Sequence, residues 1–131
     1  MMTKRLLFAS FLWMVTALSL SAQSLAAEVA TAFGKGDAQA LAIHLGDKVN
    51  LLLEAENLQL ERGQATERLT RFFARNRVTS FRVNHEGQRD DSAFLVGTLT
   101  TDSGRWRVNC FFKRVGGRHC VHQIRIERAN D

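Results

Sequence analysis

The chain has 131 residues with no proline and no tyrosine, 45% of it is apolar, and its formal net charge is +5. That length fits one domain whose core is a sheet with a few helices, and leaves no room for a second. Charge is unevenly placed: residues 28–61 carry two basic against six acidic groups, whereas residues 62–131 carry 14 basic against 7 acidic.

The chain opens on Lys4-Arg5, a nearly unbroken apolar run from Leu6 to Leu20, and small residues at Ser21-Ala22-Gln23 and Ser24-Leu25-Ala26. That pattern predicts a secretory signal peptide over residues 1–23, with cleavage after Ala22, Gln23 or Ala26, and a mature domain over residues 24–131. The run is short for a membrane span, so the expectation is a periplasmic or secreted protein with no stable membrane insertion after cleavage. Export makes nucleic acid an unsuitable partner for the arginine-rich half. It leaves acidic glycans, anionic lipid head groups or an acidic protein surface.

Val29 and Phe33, four apart, predict a helix over Ala26–Phe33. Gly34-Lys35-Gly36 ends it, and Asp37 caps a second helix over Ala38–Leu45. Alternation of Val49, Leu51 and Leu53 in VNLLLEAENLQLE favours one strand, although Leu, Glu and Ala are also good helix formers. Gly63 or Thr66 opens the main helix, with Leu69, Phe72 and Phe73 on its apolar stripe. Val78 to His85 alternates as a strand, Glu86–Asp91 reads as a loop, and Ala93–Thr101 as a further strand. A two-residue Ser103-Gly104 turn would set Leu99 opposite Val108 and Leu95 opposite Phe112.

The strongest local signal is RWRVNCFFKRVGGRHCVHQIRIE, Arg105–Glu127, two alternating runs around Gly-Gly. Trp106, Val108, Cys110 and Phe112 share one face, and Cys120, His122, Ile124 and Ile126 another. Turning both inward requires Cys110 opposite His122 and Phe112 opposite Cys120, with Val115-Gly116-Gly117 as a three-residue loop. Arg107 then faces Arg125, and Phe111 faces Val121. Phe94, Val96, Phe111 and Val121, ringed by Arg107, Arg125 and Lys113, form an uncovered outer patch, which predicts a homodimer. The layout is α+β, with N-terminal helices packed on the concave face of a curved antiparallel sheet.

Three phrases, FGKGDAQALAIHLGDKVNL, RGQATERLTRFF and FLVGTLTTDSGRWRVNCFFKRVGGRHCVHQIRIE, in this order resemble the nuclear transport factor 2-like superfamily, a cone-shaped α+β fold shared with ketosteroid isomerases. Within it the chain is most similar to short secreted bacterial proteins of a domain-of-unknown-function family. The resemblance implies a cone between sheet and helices, in which enzymes of the superfamily place an acid or base. The isomerase pattern of an aspartate base with a tyrosine and a protonated carboxyl is missing, because the chain has no tyrosine.

His122 is the titratable nitrogen expected in that cone, and a Cys110–His122 pair is the one catalytic arrangement the expected register offers. Trp106, Val108, Cys110, His122, Phe72 and Phe73 are the expected pocket lining. Two cysteines in an exported chain raise a disulfide, yet a diagonal placement favours free thiols. His85-Glu86 with Asp90-Asp91 gathers metal-type ligands on one loop without matching a loop motif. The cysteines and His122 lack zinc-site spacing, so no cofactor or metal is expected. These observations point to an exported, non-enzymatic module that binds a small apolar ligand or an acidic or other protein partner. A hydrolase or isomerase using His122, or a binder of anionic glycan or lipid surfaces, are the alternatives.

Overall fold

In the computed structural model, residues 22–130 are described; the leader expected at the N-terminus lies outside them apart from its last two residues. Helix α1 runs Ala22–Lys35. It stops where the backbone amides of Gly36 and Asp37 donate to the carbonyls of Phe33 and Ala32, both at 3.0 Å. Asp37 then caps α2, Ala38–Ala42, its Oδ1 accepting from the Ala40 amide at 3.1 Å. The second helix is shorter than expected, since Leu45 already begins strand β1, Leu45–Leu53.

The stretch read as one strand is two. β1 turns at Glu54-Ala55, both at positive φ (50° and 69°), into β2, Glu56–Glu61. Two left-handed residues are what a two-residue hairpin turn requires, and neither is the usual glycine or asparagine, which hid the turn. Helix α3, Arg62–Arg75, follows directly, and the Glu61 amide donates to Gln64 Oε1 at 3.3 Å in place of the missing intrahelical partner.

Four long strands complete the chain: β3 Val78–Arg89, β4 Ser92–Thr101, β5 Gly104–Val115 and β6 Arg118–Arg128. The sheet order is β2-β1-β6-β5-β4-β3. β1 runs parallel to β6, and every other pair is antiparallel. The expected Glu86–Asp91 loop is mostly strand, because pairing of β3 with β4 continues to Arg89 opposite Ser92. Only Asp90-Asp91 turns, so the supposed metal loop is a tight hairpin. No described group of three or more His, Cys, Asp or Glu side chains converges on a metal position.

One face of the curved sheet holds the core. Phe33, Leu41, Leu69 and Phe72 of the helices pack against Leu51, Leu95, Leu99, Val108, Cys110, Ile124 and Ile126, all fully buried. Each large side chain so buried stabilises the fold by about 1.5–3 kcal/mol before conformational entropy is set against it. The other face carries Asn50 and Leu52 of β1, Phe94, Val96 and Thr98 of β4, Arg107, Asn109 and Phe111 of β5, and Gln123, Arg125 and Glu127 of β6.

Both closing hairpins differ in register from expectation. β4 turns into β5 through Asp102-Ser103, which sets Leu99 opposite Trp106 and Leu95 opposite Cys110. β5 turns into β6 through Gly116-Gly117 alone, at φ 61° and 77°, with Val115 opposite Arg118 and Phe112 opposite Val121. Beyond that point the ladder slips by one residue: Phe111 pairs with Gln123 and Cys110 with Ile124, leaving His122 as the extra residue of a β-bulge. The bulge reverses the alternation of β6, so Val121 as well as Ile124 and Ile126 faces the core.

Candidate functional site

The bulge decides where chemistry can sit. Cys110 is fully buried against Ile124, whereas His122 is exposed on the opposite side of the ladder. The nucleophile–base pair expected from sequence is therefore corrected: one member is in the core and the other on the surface. Burial pushes the Cys110 thiol far above its ordinary pKa, which keeps it protonated and inert. Cys120 pairs with Lys113, and both thiols are free, as the sequence favoured.

The expected cone lining is likewise packed rather than open. Phe72 meets Trp106 edge-on with ring centroids 5.0 Å apart, and Phe73 meets Phe72 at 5.7 Å. Phe72, Val108 and Cys110 have no exposed surface, and Trp106 is 2% exposed. These five are core residues; Phe73 and Trp106 reach the edges of other surface depressions, and His122 lines a separate one.

That depression is a groove of about 520 Å³ at the end of the sheet where the β3–β4 hairpin overhangs β5 and β6. Phe94 and Phe111, directly opposite each other across β4 and β5, form its apolar floor, with Ala93 and Phe112 at the inner edge. His122 closes the β6 side, and Gln88, Arg89 and Ser92 close the hairpin side. Gly87 makes the geometry possible: a Cβ there would collide with the Phe94 ring, which lies over its backbone opposite. The ring also meets His85 at a tilt of 42°, with 5.3 Å between centroids.

Within the groove His122 has its pKa held below the ordinary histidine value, first by partial desolvation and then by the nearby charge of Lys113. A hydrogen bond to the Phe111 backbone opposes both. The imidazole is thus mainly neutral near pH 7, a ring that offers both a donor and an acceptor.

Of the residues expected at a dimer interface, Phe94, Val96 and Phe111 do lie together on the outer face and are half-buried. Val121 does not, being fully buried inside. Arg107 stands opposite Glu127 instead of Arg125, and Arg125 contacts Glu127 at 3.1 Å, so the like-charge clash inferred from the sequence is absent.

Sequence reasoning missed Gly87 and Arg89 as site residues because it placed them in a loop, and it left Ser92 between that loop and the next strand. A glycine inside an alternating run, near a phenylalanine of the next strand, is the signal that marks such a close approach.

The pattern of known proteins agrees with this fold. The family model described as Domain of unknown function (DUF4783) matches residues 26–127. The chain belongs to the DUF4783 family. It is similar to the crystal structure of a DUF4783 protein from Bacteroides ovatus (45% identity, 80% of this chain and 96% of that one, TM-score 0.77). The corresponding values are 40%, 79%, 96% and 0.77 for one from Bacteroides uniformis, and 46%, 78%, 96% and 0.74 for one from Bacteroides fragilis. A de novo designed protein with a curved β-sheet shares the fold alone, at 9% identity and a TM-score of 0.65 over 82% of this chain and 99% of that one. The DUF4783 domain has the nuclear transport factor 2-like fold. No curated protein matches this sequence.

Proposed function

We propose that this DUF4783 protein is an exported, non-catalytic binding module that takes a small amphipathic molecule in the groove between Phe94, Phe111 and His122. The observation that carries the reading is the β6 bulge, which moves His122 out of a filled core and into an apolar groove of ligand size. The leader sequence supports export. Burial of Cys110 away from His122 removes the arrangement that favoured a hydrolase.

The test is a titration with a neutral amphipathic probe, 4-phenyl-1-butanol, followed by amide chemical shifts. Saturable shifts confined to the β3–β4 hairpin, Phe111–Lys113 and His122 are expected. A titration without saturable shifts, or with shifts centred elsewhere, overturns the reading.

A second reading, pairing of two copies through the outer face, is favoured by a separate observation. Asn50 Oδ1, Asn109 Oδ1 and Arg125 Nε, all on that face, are buried without a hydrogen-bond partner, beside the half-buried Val96 and Phe111. An apposed copy would cover the half-buried apolar side chains of Phe94, Val96 and Phe111 on that face.

A further inference from the structure

We infer that the ligand of the His122 groove is a small monocarboxylate with an apolar, preferably aromatic, body; this rests on the groove being the binding site.

The floor sets the body. Phe94 and Phe111 present adjacent aromatic surface, and aromatic pairs gain beyond area burial alone. The rim sets the head group. Arg89 is the charged residue among those lining the groove, and no aspartate or glutamate joins it there. The carboxylate of Asp91, at the hairpin turn, points to Arg114 at 4.0 Å instead. Among the described residues Arg89 makes no ion pair, so its guanidinium is available to a ligand. A guanidinium matches a carboxylate in a forked, two-bond geometry.

His122 and Ser92 supply neutral polar groups at the same rim, and Lys113 beside His122 adds positive field without lining the groove. Among the described residues Arg89 is the one cation lining the groove, and its fork takes one carboxylate. A groove of about 520 Å³ holds a phenylalkanoate with room for solvent at its open side.

The measurement compares 4-phenylbutyrate with 4-phenyl-1-butanol on the full protein by calorimetry and amide shifts. The carboxylate is expected to bind about tenfold more tightly than the alcohol. Arg89→Gln is expected to erase that ratio by weakening the carboxylate about tenfold relative to the alcohol, and Ser92→Trp, which fills the mouth without altering charge, to weaken both. Equal affinity of the two probes, or a ratio that survives Arg89→Gln, overturns the inference and leaves the groove standing as an apolar site. Failure of both probes to bind overturns the groove and this inference together.

Discussion

The guanidinium of Arg128 sits 4.2 Å from the centroid of the Trp106 ring. The same arginine donates to the Ser103 carbonyl, while the indole Nε1 donates to Thr101 Oγ1 at 3.3 Å. Ser103 in turn bonds Asn76, whose amide nitrogen Nδ2 donates to the Phe72 carbonyl at 2.9 Å. The end of α3, the β4–β5 turn and the end of β6 are tied through one tryptophan. Trp106→Ala is expected to destabilise by about 3–5 kcal/mol, and Arg128→Gln by about 0.5–1 kcal/mol, both read by urea unfolding. In the mature domain, residues 24–131, where Trp106 is the one tryptophan, the native emission should be blue-shifted, as suits an indole that is 2% exposed.

Thiol chemistry should separate the two cysteines. In the native protein Cys120 is expected to react with a disulfide reagent while Cys110 stays silent, and denaturation should reveal both. Cys110→Ser places a hydroxyl in an apolar site and should cost about 1–3 kcal/mol. Rapid native modification at Cys110 would contradict its placement.

His122 should titrate below the unfolded histidine value of about 6.5. Its folded pKa is depressed, so the unfolded chain binds more protons there at acid pH. The stability it contributes is complete above the unfolded pKa and is lost as pH falls through the folded one. Relative to His122→Gln, the wild type should lose stability as pH falls below the unfolded histidine value of about 6.5. Lys113→Gln should move the imidazole titration, followed by its ring proton shifts, back towards the ordinary value.

The β1–β2 turn holds Ala55 at φ 69°, a conformation that strains an L side chain. Ala55→Gly is expected to stabilise by about 0.5–1 kcal/mol after the entropic cost of glycine is counted. A loss of stability would show that the turn is not left-handed there.

Val96 lies on the outer face beside Phe111 but outside the groove. If two copies meet through that face, Val96→Glu should give a folded monomer by light scattering where the wild type is a dimer. A monomeric wild type at high concentration would sink the pairing while leaving ligand binding untouched.

The sequence made the helices, the closing hairpins and the outer position of Phe94, Val96 and Phe111 legible, because each rests on periodicity or on a glycine turn. It misplaced His122 for a physical reason. Cys120, His122, Ile124 and Ile126 alternate without a break, and nothing in that run announces a bulge. The corrective signal lay at the turn: Gly116-Gly117 suits a two-residue loop with both residues left-handed, which sets Val121 opposite Phe112. Two core-facing partners at that point and Ile124 opposite Cys110 can coexist only if one residue between them is extra. The Glu54-Ala55 turn left no comparable trace, since its residues are common in helices and strands alike.

The bulge has a consequence for how this surface can vary. Val121 and Ile124 are both anchored in the core, and His122 is the supernumerary residue between them. Deleting it would leave Val121, Gln123 and Ile124 in regular in-out-in alternation, with the hydrophobic interior unchanged. A residue that can be gained, lost or replaced without touching the interior is free to change under selection for binding alone, so the specificity of the groove is separable, one codon at a time, from the stability of the domain.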